Sequence, residues 1–169
     1  MNVELVLFFV FAIAILLSAG LVIFARNPIN SAMSLVASFF FLAGIYVLLW
    51  AHTIAALQVL VYAGAIMVLF LFVIMLLNLT DVELGAQKLS LSRIAGGLAA
   101  LGLFVALAIA IARMPELTVT MDAAGVASFG TLRAVGQDLY TRWLFPFEAV
   151  SLLLLVSMVG AVVVSKSRI

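Results

Sequence analysis

Few side chains in this sequence could carry acid–base chemistry inside an apolar environment. Gln58 and Tyr62 stand four residues apart in a long apolar stretch, a spacing that places both on one face of an α-helix. Glu148 follows Pro146 at the beginning of another apolar stretch, and the single histidine is His52. A Gln/Tyr pair in lipid could hold water or hydrogen-bond a neighbouring helix, whereas a carboxylate could carry a proton.

Catalytic and metal chemistry have little support in the residue types. The chain has no cysteine, which excludes disulfides, iron–sulfur ligation and thiol nucleophiles. Its one histidine has no partner at a metal-binding spacing, and its eight basic residues form no patch of the kind that binds nucleic acid. We therefore expect no catalytic, cofactor-binding or metal-binding residue in this chain, and no nucleic-acid partner.

The composition requires lipid as solvent for most of the chain. Hydrophobic residues make up 68% of it and charged residues 9%, against roughly 45–50% and about 25% in soluble domains. Five stretches reach the ~20 apolar residues that cross a bilayer: 3–24, 29–50, 54–79, 94–112 and 144–164. The first is too long for a signal peptide and follows an acidic Glu4, so we interpret it as a span. The predicted fold is an all-α integral membrane protein, one membrane domain over residues 1–169.

The positive charges predict the orientation. With five spans, one side carries Arg26, Lys88, Arg93, Lys166 and Arg168, and the other carries Arg113, Arg133 and Arg142. Because the side richer in Lys and Arg faces the cytoplasm, we expect the N-terminus outside and the C-terminus in the cytoplasm. The long connection 113–143 is then extracytoplasmic, with short helices on the membrane surface around 131–142.

The third span carries the most distinctive residues. Ala63-Gly64-Ala65 follows Tyr62 and forms a slim segment at which a helix can bend or take a π-bulge. The residues alone favour a simpler interpretation, in which small residues allow close packing and Tyr62 satisfies its hydroxyl locally. For Glu148 they likewise favour ordinary helix N-terminal chemistry over a place in a proton path.

Longer blocks of the sequence carry a family resemblance. They are Gln58-Val-Leu-Val-Tyr62-Ala-Gly64-Ala-Ile-Met67 and its continuation to Asn78, Arg26-Asn27-Pro28 with Ser31-Ala32, and Pro146-Phe147-Glu148. Together they resemble subunit J of bacterial proton-pumping NADH–quinone oxidoreductase, complex I, whose family includes subunit 6 of the mitochondrial enzyme. Length, number of spans and loop pattern agree over the whole chain, whereas the long fourth loop contributes little.

The resemblance implies a membrane-arm subunit with no cofactor of its own. NADH, FMN, iron–sulfur clusters and quinone would be bound by other parts of the complex. The expected partners are the quinone-site subunit, small three-helix subunits, antiporter-like subunits and lipid. The expected location is the inner membrane of a bacterial cell, which the chain crosses several times.

The resemblance also implies a role for the third span. In the family this helix is thought to switch between π-bulged and regular forms and so to open a hydrated path between the quinone site and the pumps. Tyr62 and Gly64 match the switching segment, and Met67 and Phe70 follow in the same block. The position of Gln58 is acidic in some relatives, so a titrating role is absent there. We hypothesise a gate in which water connects when Tyr62 faces the neighbouring subunits and bulky apolar residues close the gap otherwise.

Other functions share much of this composition. No Asp, Glu, Lys or Arg lies in the central part of any predicted span, which argues against a free-standing antiporter or pump. A purely architectural subunit of the membrane arm, or the equivalent subunit of a related hydrogenase or antiporter-type complex, stays open.

Overall fold

The computed structural model of the protein describes residues 3–77, 91–114 and 128–166, which are almost entirely helical. Within these ranges the helices are α1 (Val3–Phe24), α2 (Pro28–Leu48), α3 (His52–Leu76), α4 (Leu91–Ala112), α5 (Leu132–Thr141) and α6 (Leu144–Ser165). All except α5 contain a stretch long and apolar enough to cross a membrane, which confirms an all-helical protein with five candidate spans. The orientation of the termini stays a prediction.

The turn between α1 and α2 is organised by the residues that begin α2. Asn27 adopts an extended conformation, and its side-chain oxygen accepts a hydrogen bond of 2.9 Å from the Ile29 N–H. Pro28 occupies the first helical turn, where a missing N–H costs nothing. The Ser31 hydroxyl then donates to the Val22 carbonyl at 2.6 Å and ties the beginning of α2 to the end of α1.

Helix α2 is the central helix of the part of the chain that the structure describes, since α1 and α3 both pack against it. A small core forms between α2 and the second half of α3 from Ala32, Met67 and Ile74, bordered by Leu35, Val36, Phe39 and Leu71. On the α1 side, Gly44 meets the Phe11 ring: a Cβ at Gly44 would lie 3.0 Å from the ring edge. A small residue there lets the two helices approach closely.

The second helix ends two residues before the position expected from hydropathy. Trp50 has φ 61°, so it leaves the helix in the left-handed conformation. The Trp50 N–H donates to the Val47 carbonyl, and the Ala51 N–H donates to the Tyr46 carbonyl at 2.9 Å. This pattern is a Schellman motif, in which glycine is the usual left-handed residue. Hydropathy continues through Trp50, but the backbone turns there, and α3 begins at His52.

Among the described side chains, none from α4 or α6 is buried. Every described side chain of α4 and every residue of α6 is exposed. Helix α5 falls within the predicted surface segment 131–142, and its Ala134, Val135 and Leu139 are partly buried. The end of the third predicted span at 78–79, and the predicted charges at Lys88 and Arg168, lie outside the described residues.

Candidate functional site

The third span changes its hydrogen-bonding pattern halfway along. Residues His52–Leu57 are α-helical, Gln58–Ile66 form a π-helix of nine residues, and Met67–Leu76 return to α-helix. Where the π-helix ends, the Met67 N–H reaches back to the Tyr62 carbonyl, five residues earlier, as well as to that of Gly64. The segment that the resemblance identified as switching is therefore π-helical in this structure. Hydrogen bonds between residues i and i+5 are rare and are often found at functional sites.

The π-helix changes which residues face the rest of the protein. The buried positions along α3 are Ala55, Gln58, Ala63, Met67 and Ile74. Steps of three or four residues keep a side chain on one face of an α-helix, but the step from Gln58 to Ala63 is five. The extra residue is therefore accommodated between these two positions.

This step bears on the predicted pairing of Gln58 with Tyr62. Gln58 is 8% exposed while Tyr62 is 50% exposed, so the two side chains are not buried together. In a regular α-helix the next buried position after Gln58 would come three or four residues later, whereas here it is Ala63, five residues later.

Tyr62 contacts α2 through its ring edge while half of its surface remains open. The ring centroids of Tyr62 and Phe39 lie 5.9 Å apart with an interplanar angle of 63°. Such an edge-to-face pair contributes about 0.5–1.5 kcal/mol beyond the area it buries. The ring is therefore held beside α2 and also presented to whatever lies next to this chain.

Gly64 occupies the crowded inner side of the π turn. A Cβ built there would lie 3.2 Å from the Val59 carbonyl oxygen, five residues earlier. This approach is tight, and a β-branched side chain would add further atoms against the preceding turn. Gly64 thus lets the wide turn form with little steric conflict.

The remaining predicted site residues separate into three surroundings. Met67 is 4% exposed and belongs to the core on α2, whereas Phe70, one turn later, is 48% exposed. Glu148 lies in the first turns of α6 and is exposed, with its backbone carbonyl accepting 2.7 Å from the Ser151 hydroxyl. Five of the predicted residues therefore lie along α3: Gln58, Tyr62, Gly64, Met67 and Phe70. Glu148 lies on another helix and is exposed.

Sequence reasoning missed a contact at the beginning of the third span. The carbonyl of Gly130, in the connection before α5, accepts hydrogen bonds from both the N–H and the hydroxyl of Thr53. A glycine just before a capping threonine, Thr131, was the available signal that a tight turn precedes α5. No sequence pattern could have identified its partner 77 residues earlier.

The segment is suited to changing shape and poorly suited to carrying protons by itself. Between residues 54 and 77 the only side chain that can lose a proton is the tyrosine hydroxyl of Tyr62. A π-helix and an α-helix of the same residues differ in register, so conversion between them would rotate everything on one side of the segment. The chemistry available is therefore a change of packing and of access for water.

Comparisons with known proteins agree with the resemblance in these blocks. A family model described as NADH-ubiquinone/plastoquinone oxidoreductase chain 6 matches residues 18–164. NADH-quinone oxidoreductase subunit 10 of Thermus thermophilus is 45% identical over 148 residues, which cover 88% of this chain and 81% of the relative. Subunit J of Rhodobacter capsulatus is 34% identical over 98% of this chain and 83% of its own length. Chain 6 of Prototheca wickerhamii is 36% identical over 96% of this chain and 86% of its own length. With a match that covers most of its length, the chain belongs to the family of NADH-quinone oxidoreductase chain 6, also called subunit J.

Proposed function

We propose that this chain is a membrane-arm subunit of proton-translocating NADH–quinone oxidoreductase, complex I, and that α3 is its moving part. The family supports the place in the complex, and the π-helical Gln58–Ile66 supports the moving part. The chain itself holds no cofactor in this proposal. NADH, FMN, the iron–sulfur clusters and quinone are bound by other subunits, and the chain crosses the inner membrane of a bacterial cell with its N-terminus outside.

The exposed helices support an assembled state. A membrane protein of this size that worked alone would be expected to pack its helices around one core. Here α4 and α6 present apolar residues all around, for example Leu101, Phe104 and Leu153. Some of that surface faces lipid, and in our proposal the rest is covered by the quinone-site, small three-helix and antiporter-like subunits.

The gate follows from helix geometry. The π-helix holds one more residue than an α-helix would between Gln58 and the next buried position. When it converts to α-helix, every residue beyond it therefore rotates by about 100° and moves by about 1.5 Å along the helix axis. Each position on the α2 face is then taken by the residue one place earlier. The exchanged pairs are Tyr62 for Ala63, Ile66 for Met67, Phe70 for Leu71 and Val73 for Ile74.

The same shift changes the outer face, away from α2. In the π register this face presents the bulky Ile66 and Phe70. In the α register those places pass to Ala65 and Leu69, which are smaller. We therefore assign the π register to the closed state and the α register to the hydrated state. This assignment keeps bulky apolar residues as the block and names Phe70 among them. It departs from the hypothesis drawn from sequence in one respect: there water connects when Tyr62 faces the neighbouring subunits, whereas here Tyr62 is half exposed in the closed π register.

Such a switch works only between states of similar free energy. A bistable helix responds to a distant event when its two forms differ by a few kcal/mol and the partners bind them unequally. The two faces that compete for α2 here are both apolar, so neither register leaves a charge in lipid. Quinone reduction elsewhere in the complex would supply the bias.

The observation that carries the proposal is the π-helix, and Gly64→Val tests it. The branched side chain crowds the Val59 carbonyl oxygen, since even its Cβ would lie only 3.2 Å from that atom. Overpacking costs about 1–3 kcal/mol, and a cost of about 1.4 kcal/mol in each cycle would slow turnover about ten-fold. We expect NADH–quinone reduction and proton pumping to fall while NADH oxidation by artificial acceptors continues.

The matched control is Gly20→Val on α1, where an added Cβ meets nothing within 4 Å. Both variants are measured in the assembled complex, with the amount of assembled enzyme determined by native gel. Coupled activity at the wild-type level in a fully assembled Gly64→Val enzyme would contradict the gate. Loss of assembly alone, with normal specific activity, would favour an architectural subunit.

A further inference from the structure

The first turn of α3 is hydrogen-bonded to the backbone carbonyl of Gly130, a residue outside the helix. The Gly130 oxygen accepts from the Thr53 N–H at 3.1 Å and from the Thr53 hydroxyl at 2.8 Å. The two residues are 77 positions apart, so this contact joins the first turn of α3 to the connection that leads into α5. It is the clearest polar link between distant parts of the chain among the described residues.

Only glycine fits at position 130. Its φ is +68°, a conformation that side chains disfavour, and a Cβ there would overlap the Trp50 carbonyl and lie 2.9 Å from the Ala51 Cα. Trp50 is itself left-handed, with φ 61°. Two neighbouring segments thus adopt uncommon backbone conformations where they meet, and together they bring the Gly130 carbonyl to Thr53.

The contact also supplies a missing helix cap. Ala51 is the N-cap of α3 and has no side-chain oxygen, so the first N–H groups of the helix lack their usual acceptor. The Gly130 carbonyl takes that role for Thr53. It is itself firmly placed, because α5 begins two residues later with its own cap, in which the Thr131 hydroxyl accepts from the Ala134 N–H at 3.3 Å.

We propose that Thr53 and Gly130 are a positioning pair, a clamp that holds the first turn of α3 fixed while the segment after Gln58 changes register. The inference rests on the proposed function. A change from π to α could rotate either end of the helix, and the geometry of the helix alone does not choose. The clamp makes rotation of His52–Leu57 lose two hydrogen bonds, so the rotation is directed into Met67–Leu76.

A cysteine at Ala55, which is 5% exposed, reports on the clamped turn. The chain has no native cysteine, so labelling can be assigned by mass spectrometry of this subunit in the intact complex. In the resting enzyme, Gly130→Ala should raise the labelling rate at position 55 by at least about five-fold, the factor expected for the net loss of even one of the two hydrogen bonds. The matched control is Gly136→Ala on α5, where an added Cβ meets nothing within 4 Å.

A second pair of variants covers the case in which Gly130→Ala does not assemble. Thr53→Val keeps the shape of the side chain and loses the hydroxyl, and it should also raise labelling at position 55. Thr53→Ser keeps the hydroxyl and should restore the low rate. Equal labelling in Gly130→Ala, Thr53→Val and the parent enzyme would overturn the clamp.

Labelling during turnover separates the clamp from the gate. Cysteines are placed at Ala55 and, in a separate enzyme, at Leu71 on the far side of the π segment. We expect turnover to change labelling at 71 and to leave 55 unchanged. A change at both positions would refute the clamp and leave the gate standing. No change at 71 would refute the register shift, and with it the positioning role, whatever the variants at Gly130 do.

Discussion

Met67 and Ile66 should act in opposite directions on the register of α3. Met67 is 4% exposed and lies in the core with Ala32 and Ile74, whereas Ile66 is 48% exposed. The α register would exchange their places. Met67→Ala therefore removes packing from the π register alone, and Ile66→Ala removes packing from the α register alone.

The size of the effect follows from the core that Met67 fills. Truncation of a buried methionine to alanine costs about 2–5 kcal/mol. We take about 2 kcal/mol, because this core is small and lipid or a neighbouring subunit can occupy part of the space. Since each 1.4 kcal/mol is a factor of ten, the ratio of the two registers should shift about 30-fold toward the α form in Met67→Ala.

Paired cysteine labelling measures this ratio in the assembled complex. Phe70 is 48% exposed and Leu71 is partly buried in the π register, and the α register would bring Phe70 toward α2. The ratio of labelling at position 70 to labelling at position 71 should fall in Met67→Ala and rise or stay high in Ile66→Ala. If both substitutions move the ratio the same way, the one-residue exchange between registers is wrong.

Two further outcomes follow from the contacts of α2. Tyr62→Phe keeps the edge-to-face pair with Phe39, so quinone reductase activity should stay within about two-fold of wild type. Tyr62→Ala loses about 0.5–1.5 kcal/mol of ring contact and should lower this activity further. Reduced activity in both variants to the same degree would assign the effect to the hydroxyl. Gly44→Val places a side chain against the Phe11 ring, which lies 3.0 Å from the added Cβ, and should lower the amount of this subunit in the complex. Immunoblots of native gels measure that amount, and it should be unchanged in the control Gly20→Val. Equal amounts in the two variants would show that α1 and α2 are not packed as described.

Hydropathy predicted five long apolar helices because a helix that crosses the hydrocarbon core needs about 20 apolar residues. The first helix begins and ends where the apolar run does, at Val3 and Phe24. The second departs from the pattern at Trp50, since a left-handed turn is set by backbone hydrogen bonds and glycine is the residue by which such turns are recognised. The length of an apolar stretch therefore predicts that a helix can cross the bilayer, and it is less informative about the residue at which the helix ends.

The register of the third helix could not be read from the same pattern. An α-helix and a π-helix of Gln58–Ile66 have identical composition and differ only in which carbonyl each N–H selects. The spacing of Gln58 and Tyr62 assumed a regular helix, and the burial of Ala63 in place of Tyr62 shows how far one extra residue moves a side chain. The resemblance identified the segment because it rests on the particular residues, which physical periodicity ignores.

The uneven distribution of contacts has a consequence for biogenesis. Helices α1 and α3 both pack on α2 within this chain, whereas α4 and α6 are exposed throughout their described side chains. The first three helices can therefore settle together soon after insertion, before any other polypeptide arrives. The last two spans would then lie in the bilayer without protein contacts until partner subunits bind them. We expect synthesis of this subunit in excess of its companions to yield rapid degradation beginning from the C-terminal half.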